Sequence, residues 1–319
     1  VGLSLVGASF GLAWPASQSM VATIVPTEIR PRYFGMNFAL LNLGVGIGGI
    51  IGGLVADVDR PSTFQVMYLA EAASYLPATL LLLGPLRHAG GPHLHARSEA
   101  DDHADAGGIG YFALLRRPGV LSLTLLTFVA AFIGYAQLNS GMPAYARAVS
   151  EVSTRALGWA FAANTLVIVL LQLLVLRRIE GRRRTRVVVV MAVMWAVSWM
   201  LLGATSWIPG TLGATLLVAG CASVFALGET LLQPTVPAMV NDLAPDHLRG
   251  RYNALNSAAF QAASVTGPPV AGFLIGRGLG EVWIGLLLAG VVVVIALSVL
   301  WVEPQLPASA NGVEEPQPS

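Results

Sequence analysis

PASQSMVATIVPTEIRPRYFGMNF at residues 15–38 has a counterpart in PTVPAMVNDLAPDHLRGRYNALNS at residues 234–257. Sliding the first stretch forward by about 219 positions, without a gap, lays Pro15 to Leu54 on Pro234 to Phe273. Pro15 falls on Pro234, Met20 on Met239, Val21 on Val240 and Pro26 on Pro245. Arg30, Arg32 and Tyr33 fall on Arg249, Arg251 and Tyr252, while Asn37, Gly48 and Gly53 fall on Asn256, Gly267 and Gly272. Each copy reads as an apolar segment, a short basic hinge and a Gly-rich apolar segment. Solenoid repeats recur every 20–50 residues or so, and these copies lie too far apart for that. They mark two large halves with the same direction of travel.

The rest of the chain says what surrounds those halves. It is 55% hydrophobic and 11% charged over 319 residues, with a mean hydropathy of +0.69. A soluble domain carries about 25% charged residues. A helix needs about 20 apolar residues to cross the hydrocarbon core of a bilayer. Nine segments meet that length: residues 2–25, 33–56, 64–86, 119–146, 157–176, 187–206, 212–240, 253–275 and 282–302. The runs are continuous rather than alternating, and too long for the strands of a membrane barrel. The fold class expected is therefore an all-α integral membrane protein. Parallel repeats are one of the two symmetry plans of membrane transporters. The net charge of +1 implies no nucleic-acid partner, and all 18 basic residues are arginine. The single cysteine, Cys221, permits no intrachain disulfide and implies no thiolate metal site.

Orientation follows from arginine in the loops, because cytoplasmic loops are enriched in it. One set of loops holds Arg30 and Arg32; Arg87, Arg97, Arg116 and Arg117; Arg177, Arg178, Arg182, Arg183, Arg184 and Arg186; and Arg249 and Arg251. The other holds Arg60, Arg147, Arg155 and Arg277. The first set is expected inside, which puts Val1 outside and the C-terminal tail inside. No cleavable signal peptide is visible at Val1. Six spans separate the two hinges, so each half should hold six, and the first segment should be the fourth of its half. The expected organisation is residues 1–86 as spans 4–6, 87–117 as a cytoplasmic linker, 118–302 as spans 7–12 and 303–319 as a disordered tail. The linker carries His88, His93, His95 and His103 among carboxylates. A metal-binding tract and a solvated tether both fit it, and the composition favours the tether.

Candidate chemistry lies in the polar groups at membrane depth. Glu229 stands in the middle of an apolar run. An ionised carboxylate there costs at least a few kcal/mol, so it should face a wet cavity or hold a proton. A structural hydrogen bond to a neighbouring helix is the alternative. Glu71, nearer the outer face, suits snorkelling or an interhelical bond. Gln137 and Asn139 flank a break at Gly141 and Pro143, where they either repair the helix or touch substrate. Arg30, Arg32, Arg249 and Arg251 satisfy the orientation rule by themselves. They are also placed to pair with Glu28, Asp242 or Glu180 when the inner side closes. Trp159, Trp195, Trp199, Trp207, Trp283 and Trp301 suit packing or interface anchoring.

Gly44, Gly48, Gly49, Gly52 and Gly53 recur at helical spacing, a pattern that lets helix backbones approach closely in lipid. The second copy has Ala263, Gly267, Pro268, Ala271 and Gly272 at the same places. Here the sequence resembles the major facilitator superfamily, and within it the twelve-span drug:proton antiporters, from the fourth span to the twelfth. The antiporter motif of the fifth span, Gly-x-x-x-Gly-Pro-x-x-Gly-Gly, is matched by those five glycines, with Gly49 in place of its proline. The stretch Tyr135-Ala-Gln-Leu-Asn-Ser-Gly-Met-Pro143 is similar to the broken seventh span of the same exporters. Residues 177–186 are similar to the basic loop between the eighth and ninth spans, with Arg178 where the family has a carboxylate.

The resemblance implies a fold of six plus six helices and proton-coupled efflux of small lipophilic compounds by alternating access, at the plasma (inner) membrane. It implies a monomer whose partners are a small-molecule substrate, protons and the lipid bilayer, with no cofactor. Gln18 and Gln233 lie on related spans that in the family face the central cavity. Trp14, beside Pro15, offers an aromatic face to a lipophilic or cationic compound. A metabolite importer and a non-transporting fragment are the alternatives. A membrane enzyme would need clustered His, Asp, Glu or Cys at membrane depth, and the spans hold no histidine.

Overall fold

The computed structural model describes residues 30–55, 60–85, 110–245 and 248–313, and the regular elements among them are helices. In order they are α1 (Arg30–Val55), α2 (Pro61–Leu83), α3 (Tyr111–Leu115), α4 (Val120–Ile133), a π-helical turn (Gln137–Gly141), α5 (Met142–Ala148), α6 (Thr154–Ile179) and α7 (Arg184–Ala204). There follow α8 (Leu212–Leu243), α9 (Arg249–Gly276), α10 (Gly280–Ala296), a second π turn (Leu297–Val302) and α11 (Glu303–Gln305). Among the described residues seven helical rods are long and apolar enough to cross a membrane: α2, α4 through α5, α6, α7, α8, α9, and α10 through α11. The expected span at residues 2–25 lies outside the described residues, and the one at 33–56 is α1 as far as Val55.

The described residues gather in two compact units, one holding 30–41, 54–55 and 60–85, the other 42–53, 110–245 and 248–313. In the first, α2 begins with Pro61 at its N-terminus, where the missing N–H costs nothing, and it buries none of its side chains. The second unit starts before residue 118, where the linker was expected to end. The short helix α3 already belongs to it, because Leu114 is fully buried.

The core of the second unit is built of large aromatic rings set against small residues. Trp195 stacks on Phe225 with centroids 4.6 Å apart, and Trp199 and Trp283 continue the cluster at 6.0 Å from each other. A Cβ on Gly134 or Gly228 would strike the Trp195 ring, and one on Gly141 would strike Trp283. Of the tryptophans expected to pack or to anchor, Trp195, Trp199 and Trp283 pack in the core, whereas Trp159, Trp207 and Trp301 lie at the surface. Capping starts two helices locally. Ser153 accepts from the Ala156 N–H, and Thr211 accepts from the Ala214 N–H.

The recurring residues of the second repeat line the face of α9 that meets α4. Tyr252 is buried, Thr127 of α4 hydrogen-bonds Asn256 at 2.6 Å, and Gly267 lies against Ala136 and Gln137. The two classes of loop also separate. Residues 119, 182–186, 242–243 and 303–312 contact one another at the arginine-rich end. Ser150, Thr205 and Gly210 meet at the other end.

The tail departs from expectation. From Glu303 it reads as polar, Pro-rich and disordered, yet residues 303–313 pack on the unit. Leu306, Ala310 and Asn311 are buried. The composition missed this because the anchors are single residues whose partners come from distant helices.

Candidate functional site

A chain of polar side chains crosses the apolar interior of the second unit. Glu229 sits in the middle of α8 with 5% of its surface exposed. Asn164 of α6 donates through Nδ2 to Glu229 Oε2 at 2.8 Å and to the Ala222 carbonyl at 3.1 Å. One amide therefore ties the carboxylate to the backbone of its own helix. The Tyr135 hydroxyl also interacts with Glu229, and it accepts a hydrogen bond from Gln233 Nε2 at 2.6 Å. The Tyr135 ring is framed by Trp195, Phe225 and Phe260. Glu229 and Gln233, one helical turn apart on α8, thus converge on one tyrosine. Among the described residues no cation pairs with Glu229. A buried carboxylate held by neutral groups alone keeps its charge only at a cost, unless a proton, cation or water joins it.

Proline shapes the next turn. Pro234 lies inside α8 and has no N–H to offer the carbonyl four residues earlier. That carbonyl belongs to Thr230, and Gln172 Nε2 of α6 reaches it at 3.4 Å. Gln172 Oε1 is buried without a partner.

The expected break in the span from residue 119 is a π turn rather than an open interruption. Gly134 leaves helical geometry, and the turn Gln137–Gly141 then carries the chain into α5. Asn139, which is exposed, donates to the Tyr135 carbonyl at 3.0 Å. Gln137 is fully buried. Its Oε1 accepts from Trp283 Nε1 at 3.1 Å, and its Nε2 reaches the Gly267 carbonyl at 3.4 Å. Both amides repair backbone and indole groups here, and neither touches Glu229.

Among the described residues nothing lies within 4 Å of where a Cβ would stand on Gly44, Gly48, Gly49 or Gly272. A tight approach in α1 among the described residues is at Gly46, where a Cβ would stand 2.8 Å from the Thr165 methyl. Gly52 and Gly53 continue α1 one turn further on. Gly267 is the close contact of the second copy, and Pro268 with Pro269 stays inside α9. Trp14, Gln18 and Glu28 lie outside the described residues. Arg30, Arg32 and Arg249 are placed by backbone only, at the starts of α1 and α9. Asp242, expected opposite the hinge arginines, pairs with Arg184 at 2.6 Å.

Asn164, Gln172 and Tyr135 were not singled out from sequence. For the two amides the available signal was their spacing, two turns apart in an otherwise apolar span. Asn164, Ile168 and Gln172 stand four residues apart and are all buried, so they share one face of α6.

A family model described as Major Facilitator Superfamily matches residues 1–226 and 151–319. An uncharacterized MFS-type transporter of Bacillus subtilis (strain 168), YttB, is 24% identical over 278 residues, covering 86% of this chain and 64% of its own length. A Na(+), Li(+), K(+)/H(+) antiporter of Planococcus maritimus is 22% identical over 288 residues, covering 84% of this chain and 65% of that protein. The chain thus spans just under two thirds of the length of these relatives. No solved structure matches it.

Proposed function

The chain belongs to the Major Facilitator Superfamily, and from that membership we propose that it serves secondary transport, with Glu229 as the group that exchanges a proton. The observation that carries this reading is the setting of Glu229: a buried carboxylate in mid-membrane, held by Asn164 and facing Tyr135, with no counter-cation among the described residues. When the site is wetted from one side, the carboxylate ionises and its proton leaves. When it closes, a proton returns from the other side. Two bundles rocking about a midplane site would couple that cycle to a substrate.

The proposed cargo is a small lipophilic compound moving outward, in a multi-pass protein of the plasma membrane. The glycine motif of α1 and the aromatic frame of Tyr135 support it. The experiment follows a panel of such compounds for accumulation in cells making the protein, with Glu229 intact and as Glu229→Gln. Loss of uphill, proton-driven export in the variant supports the reading. Unchanged export removes Glu229 from the coupling.

A second reading is exchange of a monovalent cation for a proton. It is favoured by the relative from Planococcus maritimus and by the same carboxylate, which a cation would neutralise as well as a proton would. Membrane vesicles reporting internal pH separate the two. A pH change on adding sodium, lithium or potassium, absent in Glu229→Gln, selects cation exchange. A pH change only on adding a lipophilic compound selects the first reading.

A further inference from the structure

Among the helices of the second unit that begin without a side-chain cap of their own are α4 and α7. The first turn of α7 carries Arg184 and Arg186 with no acidic residue, and Arg183 at its N-cap offers no acceptor. Positive side chains at the positive end of a helix dipole weaken that end. At the start of α4 the N-cap is Gly119, in the left-handed region at φ +78° and with no side chain to accept. Helices α6 and α8, by contrast, have Ser153 and Thr211.

Both defects are repaired by one segment, residues 303–313. Asn311 Oδ1 accepts from the Thr185 N–H at 3.0 Å and from the Thr185 hydroxyl at 3.2 Å. Gln305 Oε1 accepts from the Gly119 N–H at 2.8 Å and from the Ser122 hydroxyl at 3.0 Å. The Asn311 oxygen does for α7 what an N-cap side chain does for its own helix, and the Gln305 oxygen takes the N–H of the α4 N-cap residue, as the third-position glutamine of a capping box does. The Glu303 carboxylate meets Arg183 at 2.9 Å and Arg186 at 3.3 Å, which sets a negative charge beside the arginine-laden end of α7. Arg184 completes the tie. It donates to the Ala310 carbonyl at 3.0 Å and pairs with Asp242 in the last turn of α8. Gly312, at φ +75°, lies against the Arg182 carbonyl, where a Cβ would stand 3.2 Å away.

We propose that residues 303–313 form a detachable strap. Docked, it caps α4 and α7 in trans and binds them to the end of α8; released, it frees the arginine-rich end of the bundle to open. The anchors suit release. They are side-chain hydrogen bonds, partly exposed ion pairs and one backbone bond, from the Arg184 N–H to the Asn311 carbonyl at 2.9 Å, with Leu306 and Ala310 as the apolar contacts. Release would leave the first N–H groups of α7 uncapped and Arg183 and Arg186 unpaired from Glu303. The strap therefore sets how often the loop at residues 180–186 opens.

Limited trypsin digestion of the detergent-solubilised chain reads that opening, since Arg182, Arg183, Arg184 and Arg186 are cleavage sites within the strapped region. Mass spectrometry gives the rate of cutting there for wild type, Asn311→Ala, Gln305→Ala, Asn311→Asp and Gln305→Glu. Losing one cap should speed cutting about fivefold, the factor set by a typical N-cap deletion acting on local opening. Asn311→Asp and Gln305→Glu keep the accepting oxygen and should be cut no faster than wild type. The near-ultraviolet circular dichroism of the Trp195–Trp199–Trp283 cluster should stay the same in all five proteins. Equal rates for wild type and both alanine variants would overturn the strap. Acidic variants cut as fast as their alanine partners would overturn the capping role and leave only side-chain packing.

Discussion

Two polar clusters sit in the same apolar interior, and they are built to different ends. Around the π turn, Gln137 satisfies the Trp283 indole and reaches the Gly267 carbonyl, while Asn139 satisfies the carbonyl of Tyr135. Every group there is neutral, and the cluster needs nothing from outside. Around Glu229 the surroundings are also neutral, an amide from Asn164 that holds it and the Tyr135 hydroxyl it faces, but the group held is a carboxylate. A neutral network in a low-dielectric interior rigidifies the fold once its donors and acceptors are matched. A carboxylate in the same setting stays dependent on a proton, a cation or water. Polarity at membrane depth is thus not one signal. The element that can change its charge is where coupling is to be sought.

Exchanging the charge-bearing group makes the widest test of that contrast. Glu229→Gln keeps the shape and leaves an acceptor for Asn164, so the fold should survive with its unfolding temperature little changed. Uphill transport should be lost, and downhill exchange should lose its dependence on a proton gradient. If Glu229→Gln instead unfolds the protein while transport per folded molecule persists, both clusters are structural.

The neutral cluster should answer in the opposite way. Gln137→Leu removes the acceptor of a buried indole N–H, and an unsatisfied buried donor costs about 1–3 kcal/mol. The expected outcome is a lower unfolding temperature in detergent, with transport per folded molecule and its pH profile unchanged. A pH profile that moves with Gln137→Leu would join the two clusters into one functional unit. Asn164→Ala lies between these cases. It removes two hydrogen bonds, to Glu229 and to the Ala222 carbonyl, each worth about 1 kcal/mol, and should also move the pH profile, because one of them is made to Glu229 itself.

How much of this could be read from the chain follows from what each residue needs. The repeat was legible because Asn256 and Gly267 meet one rod, α4 and the π turn that continues it, through identity-specific contacts. Glu229 was legible because a carboxylate in a long apolar run stands out by itself. Asn164 and Gln172 were not. An amide in a span announces nothing until its partner is known, and their partners lie on α8, 65 residues away for Asn164 and 58 for Gln172. The glycine spacing of α1 marked a helix that does meet a neighbour closely. Periodicity marks a face of small residues, but which of them touches a given neighbour depends on helix rotation, and among the described residues the close contact is at Gly46. The tail was missed for a related reason, since Asn311 and Gln305 matter through helices they cap from far along the chain.

The smallest expected effect tests the boundary of the neutral cluster. Asn139 is exposed and hydrogen-bonds the Tyr135 carbonyl on its own helix, four residues back. Water can take over that carbonyl when the amide is gone, because the side chain already stands open to its surroundings. Asn139→Ala should therefore change stability by less than about 0.5 kcal/mol and leave the transport rate alone. If it slows transport of one compound and not another, with stability unchanged, Asn139 touches cargo. The π turn would then present one face to the substrate and the other, through Gln137, to the core.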